Sequence, residues 1–350
     1  MLQHSPRKTQ QPSTLSSVYK IIDTEMKDVD AILAQALSDH VPFVNEVSQY
    51  AFRLGGKRLR PTIALISYKA ACRPGDEAKL PDKLKLVAAA IEMIHTATLI
   101  HDDILDGALI RRHLPTLHTR WNAGISVMAG DTVFTKALDL VTQLDELEPY
   151  RILAGACHKT CYGELCQMGT KNRFDLTVDE YVEIVTAKTA ALIECGSHMG
   201  AYYAGADSAV IEQFRLFGRE IGIAFQIVDD VLDLVGDESN MGKTLGTDIL
   251  QQKPTLPVLL FFESLSDNDR ASVIDECAEL ATDEGFVQKL VTRIQTSGAI
   301  DAAVTYADKL VDTAIERVRQ FTAENPRSTK SQRAVDALCN IAAFVVKREK

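Results

Sequence analysis

The chain has 350 residues, 46% hydrophobic and 25% charged, which is enough to bury a large core in one or two domains. Its net charge of −10 disfavours nucleic acid as a partner, and any phosphate substrate must therefore be met by local cations or metal. Seven scattered cysteines, odd in number and without a signal-peptide pattern, point to reduced thiols in a cytoplasmic compartment.

Residues 1–18 are rich in Ser, Gln, Pro, Lys and Arg and read as a disordered tail. No acid precedes Asp23, so a transit peptide is the alternative reading of that stretch. Apolar residues then recur at three- and four-residue steps, first over Val18–Leu37, Pro42–Leu54, Pro61–Ala71 and Leu84–Asp106. The pattern continues over Ser126–Leu144, Tyr150–Thr170, Val178–Tyr203, Ala209–Leu234, Thr255–Ser264, Leu290–Arg319 and Ser331–Lys347. Stops fall at Arg73-Pro74-Gly75, Leu114-Pro115 and Gly236-Asp237-Glu238. The longest apolar run, Leu86 to Ile100, is interrupted by Glu92 and His95 and ends in two aspartates, so no transmembrane span is expected. With no alternating strands, short repeat or splitting linker, residues 19–350 read as one all-α domain. A helical bundle builds its sites from inward-facing side chains.

Two copies of Asp-Asp-x-x-Asp dominate the chemistry: Asp102, Asp103, Asp106, and Asp229, Asp230, Asp233. Residues four apart share a helix face, so each motif stacks like charges within an apolar frame. Burying such groups is costly without a cation, and hard oxygen ligands select a divalent ion, Mg2+ above all. Mg2+ characteristically combines one or two carboxylates with substrate phosphates. Matching cations are present. Gly55-Gly56-Lys57-Arg58-Leu59-Arg60-Pro61 sets three after a flexible double glycine, with Pro61 suited to a first helical turn, where anions bind. Arg111 and Arg112 follow the first motif, Lys188 lies in an apolar helical run, and Lys243 and Lys253 follow the second. The pattern points to a metal-bridged diphosphate. Cys157, Cys161 and Cys166 near His158 lack zinc-type spacing and read as a helix face.

These motifs resemble the trans-prenyltransferases, the polyprenyl diphosphate synthases. The likeness runs from about Gly55 to about Pro257 through GGKRLRP, IHTATLIHDDILD, RR, GELCQ, AKT, FQIVDDVLD and GKTLGTD, in the family's order. It implies an all-α bundle of the isoprenoid synthase type with a central cavity, usually a homodimer, joining isopentenyl diphosphate to an allylic prenyl diphosphate with Mg2+. Membrane contact would be transient, at product release. By position, Asp102, Asp106 and Asp229 resemble the principal Mg2+ ligands, with Asp103, Asp230 and Asp233 supporting them. Lys57, Arg60, His95 and Arg112 resemble the isopentenyl diphosphate site. Arg111, Lys188 and Lys253 resemble the allylic diphosphate clamp, with Lys243 beside it. Thr189 and Gln226 resemble polar groups facing the reacting carbons. Two departures lie in the loop after the first motif: His113 stands where the family usually has glycine, and the aromatic-glycine pattern around Trp121-Asn122 is altered. They bear on the loop's shape more than on the chemistry.

Small Ala97 and Thr98, one turn before Asp102, stand where family members stopping at fifteen or twenty carbons often carry aromatics. This implies a product longer than twenty carbons, with Met93 and Ile94 on the next turn and Phe134 as the rival floor. Farnesyl or geranylgeranyl diphosphate synthesis is the nearest alternative. Terpene cyclases and squalene- or phytoene-type synthases also pair acidic motifs, but a cyclase has no second diphosphate for GGKRLRP to hold. Non-catalytic prenyltransferase subunits often lose acidic motifs, and here both are whole. The allylic starter and the pathway served are not legible.

Overall fold

The computed structural model describes residues 15–53, 56, 58–73, 75–76, 80–235, 245–324 and 328–347. Lys57, Lys243 and the tail reading for residues 1–14 lie outside them. Within the same tail stretch, Leu15–Tyr19 forms a helix, α1, and Val18 is buried, so the ordered domain begins earlier than residue 19. Val18 belongs to the apolar periodicity, and its burial against the core outweighs the polar composition before it.

Helices α2 (Asp23–Leu37), α3 (Pro42–Arg53), α4 (Leu59–Ala71) and α5 (Asp82–Leu105) follow. A hairpin, β1 (Ile110–Arg111) and β2 (Leu114–Pro115), leads through α6 (Leu117–Arg120) to α7 (Ala123–Thr142) and α8 (Leu147–Gly169). These two-residue strands are the only ones among the described residues. Thr177 and Glu180 form a reciprocal capping box that starts α9 (Val178–Val185). A π-helical turn, Thr186–Ala190, joins it to α10 (Ala191–Tyr203), followed by α11 (Ser208–Val235) and α12 (Thr247–Leu250). The chain ends in α13 (Leu256–Glu263), α14 (Asp267–Leu280), α15 (Glu284–Ser297), α16 (Ala299–Glu324) and α17 (Thr329–Val346).

The fold is an all-α bundle, as the periodicity predicts. α4 and α10 bury nearly every side chain, with α10 packed between α4 and α11 and α5 packed on α7. Close approach depends on small residues: a Cβ at Gly200 would meet the Ala64 carbonyl oxygen at 2.4 Å. Only α5 is long and apolar enough to cross a membrane, among the described residues, but 67% of its apolar window is buried in the bundle. A second, smaller core under α12–α15 includes Phe174, whose ring meets Phe262 edge-on at 5.9 Å.

Two further features differ from the sequence reading. Leu290–Arg319 is two helices, because Gly298 takes φ +85° and ends α15. α14 was not legible because it is largely polar and buries only Val273 and Cys277.

Candidate active site

A cavity of about 1070 Å3 brings together residues from α4, α5, α8, α10, α11, α17 and the π turn. Arg60, His95, Asp102, Arg111, Arg112, Lys188, Thr189, Gln226 and Asp229 all line it. Thus one aspartate from each acidic motif reaches the same space as seven of the expected polar and cationic groups. Leu99, Leu192, Ile193, Phe225, Phe344 and Val345 add apolar side chains to the lining.

The acidic motifs sit toward the C-terminal ends of α5 and α11, where no basic residue occupies the last turn. Helix C-termini carry partial negative charge, so both positions favour cations. Burial raises the Asp102 carboxyl to about 6, against the opposing charge of Lys188. A hard divalent cation completed by phosphate oxygens fits this donor set of carboxylates in a partly dry cavity. Among the described residues no three metal-ligating side chains converge ready-made.

The other aspartates are engaged elsewhere. Asp103 is buried and accepts a 2.7 Å hydrogen bond from Arg111 Nε. Asp106, expected as a ligand beside Asp102, is ion-paired with Lys253 Nζ at 2.9 Å and does not line the cavity. Burial opposes the charge on Lys253, but the Asp106 carboxylate overcomes it and raises the ammonium pKa above its usual value. Asp233 Oδ2 accepts from the Asp248 backbone N–H at 3.1 Å. Asp230 is 3% exposed and accepts from Tyr181 Oη and, at 2.8 Å, from Gln226 Nε2. Residues 245–253 therefore link the two motifs, from Asp233 through Asp248 to Lys253 and Asp106.

Cations on the other side are held in the same way. Arg58, in a left-handed conformation at φ +53°, stacks on Phe52 and donates to Glu92 Oε1 at 3.0 Å, and both Arg58 and Glu92 line the cavity. Neither was assigned a role from sequence; the buried Glu92 inside an apolar helix was the available signal. Arg60 Nε is buried without a hydrogen-bond partner among the described residues. Burial lowers the Arg60 pKa, with Glu92 and Asp229 opposing. An unsatisfied buried guanidinium edge is suited to an incoming anion. Burial and then the charges of Arg60, Arg111, Arg112 and Arg58 push His95 well below the usual imidazole range.

The π turn sets Lys188 and Thr189. Such turns often occur at functional sites. Gly163 and Gly222 let α8 and α11 close on it: a Cβ at Gly163 would lie 2.3 Å from Lys188 N, and one at Gly222 2.5 Å from Ala190 Cα. Lys188 Nζ pairs with Glu164 and donates to Gln167 Oε1 at 2.7 Å.

The loop after the first motif is the hairpin, with Arg111 paired to Leu114. Its two turn residues, Arg112 and His113, take φ +52° and +63°. Two-residue hairpins demand positive φ and favour glycine. Tyr50 Oη anchors the hairpin through Pro115 O at 2.7 Å, and Trp121 packs edge-on to the Tyr50 ring at 5.3 Å.

Residues 41–294 match the family model described as polyprenyl synthetase. The chain belongs to the polyprenyl synthetase family. It is 36% identical to the short chain isoprenyl diphosphate synthase of Methanothermobacter thermautotrophicus, over 96% of this chain and 100% of that one. It is 32% identical to heptaprenyl diphosphate synthase component 2 of Geobacillus stearothermophilus, over 86% and 91% of the two chains. A polyprenyl synthase from Caulobacter crescentus CB15, solved with calcium and isoprenyl diphosphate, superposes with a TM-score of 0.85 at 30% identity, covering 97% and 100%. The protein is thus a prenyltransferase.

His113→Gly should relieve left-handed strain in the hairpin turn. Stability measured by denaturant unfolding should rise by about 1 kcal/mol, the order of the left-handed cost for a residue bearing Cβ. A loss of stability would show that His113 makes compensating contacts.

Proposed function

We propose that the protein condenses isopentenyl diphosphate with an allylic prenyl diphosphate in a Mg2+-dependent trans-prenyl transfer. The observation that carries this reading is one cavity lined by Asp102 and Asp229, four guanidinium and ammonium groups from the expected set, and apolar side chains. Asp102 and Asp229, which line the cavity, would hold Mg2+, with Asp106 joining them once Lys253 releases it, and the ion when bound neutralises charge on the departing diphosphate. Asp103, Asp230 and Asp233 support them through the partners described above. Arg111, Lys188 and Lys253, with Lys243, bind the allylic diphosphate and stabilise its developing charge as it leaves. Arg60, Arg112, His95 and Lys57 bind isopentenyl diphosphate, and Arg58 joins them. Thr189 and Gln226 face the allylic carbons, and Leu192, Ile193 and Phe225 exclude water from the cation formed there. The double bond attacks that cation, and the released diphosphate accepts the proton.

The product is proposed to exceed twenty carbons. Thr98, small, lines the cavity on the α5 wall. A second reading, a synthase stopping at twenty carbons, has one observation in its favour. Ala97, Met93 and Ile94 are buried in the core and do not line the cavity.

A homodimer is proposed because α7 and α8 expose large apolar side chains, Met128 at 62% and Leu165 at 68% among them. Seven free cysteines, with burial pushing Cys157 and Cys277 up to about 12, suit a reducing cytoplasm.

Purified protein with Mg2+, isopentenyl diphosphate and an allylic diphosphate should form prenyl diphosphates without a second subunit. Asp102→Asn or Asp229→Asn should keep the fold and lose about a thousandfold or more in turnover, since several kcal/mol of leaving-group stabilisation rests on the metal. Near-normal turnover of either variant at saturating Mg2+ would contradict the mechanism.

Product length is read by chromatography after dephosphorylation. Thr98→Phe, and more weakly Ala97→Phe, should shift products toward shorter chains. A wild-type product of twenty carbons or fewer, unchanged by Thr98→Phe, would reject the long-chain reading.

A further inference from the structure

The N-terminal helix reaches the cavity. Tyr19, the last residue of α1, lines it together with Arg58, Arg60, Glu92 and His95. A five-residue helix has little stability of its own, so packing must hold α1 in place. Val18 and Ile22, on either side of Tyr19, are buried in the core. α1 rests on α17, which packs on α4 and brings Phe344 and Val345 to the same cavity.

The phenol is tied to the start of α4. Burial raises the Tyr19 phenol above its usual value; a hydrogen bond with the Thr62 side chain opposes this, and the Glu92 carboxylate adds to it. Thr62 is fully buried, and its Oγ1 donates to Arg58 O at 2.8 Å. A hydroxyl has one proton, so Thr62 has none left for Tyr19 and must accept from it. The run therefore goes from the Tyr19 hydroxyl to Thr62 Oγ1 and on to the Arg58 carbonyl. That carbonyl also accepts the Thr62 backbone N–H at 3.0 Å, the first turn of α4. Arg58 takes φ +53°, a left-handed conformation that costs a residue with a Cβ and persists only where its surroundings hold it. Arg60, with its buried Nε unpartnered among the described residues, follows two positions later.

We propose that α1 is part of the isopentenyl diphosphate site, with Tyr19 as a positioning residue: through Thr62 the phenol holds the left-handed Arg58 backbone, which sets Arg58 and Arg60 against the substrate's diphosphate. This rests on the prenyl-transfer reading above. A tyrosine that only packs the bundle would affect stability without favouring one substrate over the other.

Tyr19→Phe keeps the ring and removes the hydroxyl. KM for isopentenyl diphosphate should rise about fivefold, the scale of one lost neutral hydrogen bond, with KM for the allylic diphosphate and kcat at saturation unchanged. Thr62→Val should give the same pattern, and Tyr19→Phe added to it should change nothing more, because the two act through one contact. A binding measurement covers the case in which turnover is absent. By calorimetry with inorganic diphosphate and no Mg2+, Tyr19→Phe should bind about fivefold more weakly than wild type. With Arg60→Ala present in both chains, the two should bind alike.

An unchanged KM for isopentenyl diphosphate in Tyr19→Phe, an equal rise in both KM values, or a loss of diphosphate binding that persists in full with Arg60→Ala present would overturn the assignment. Failure of the wild-type protein to form any prenyl product would instead overturn the functional reading, and the diphosphate comparison would still judge Tyr19.

Discussion

Opposite charges held at close range in a partly dry cavity are the constraint on which the rest of this structure depends. Acidic groups at the C-terminal ends of α5 and α11 are costly there unless each is answered. Asp103 is answered by Arg111, Asp106 by Lys253, Asp230 by Tyr181 and Gln226, and Asp233 by a backbone N–H. The cations are likewise anchored, Arg58 by Glu92 and Lys188 by Glu164 and Gln167. These partners orient the groups that line the cavity before any substrate arrives, which is how preorganised electrostatic catalysis avoids reorganisation at the moment of reaction.

Packing delivers that geometry. The π turn holding Lys188 and Thr189 lies between α8 and α11 at the two glycine contacts, so its backbone position is set by helix packing rather than by a loop. Residues 245–253 bridge the two acidic motifs over a separate small core centred on Phe261, Phe262 and Ile249. Movement of this segment would act on both motifs together, since Asp106 and Asp233 both bond to it. Inter-helix contact also sets the ground for chain length: small residues at Ala97 and Thr98 give room only where a neighbouring helix leaves it.

Most of the helices were legible because burial imposes a 3.6-residue period, and the paired aspartates stand out because carboxylates in apolar helices need a reason. What each carboxylate does was not legible. Asp102 and Asp106 share a spacing, yet one lines the cavity and the other pairs with a lysine 147 positions away. Such long-range partners are tertiary facts that no local pattern carries. The hairpin was missed because two-residue strands have no period to detect, and Arg112-His113 hides a turn that normally announces itself with glycine.

The central claim is that the two motifs act together on a metal-bridged diphosphate rather than each binding metal independently. Thermal unfolding with Mg2+ alone, inorganic diphosphate alone and both together tests it most directly. The account predicts a small shift from either alone and a joint rise of about 4 °C or more, because a ligand stabilises in proportion to the logarithm of its saturation. Asp229→Asn should abolish that joint rise. A full shift from Mg2+ alone, or a joint rise unchanged by Asp229→Asn, would contradict it.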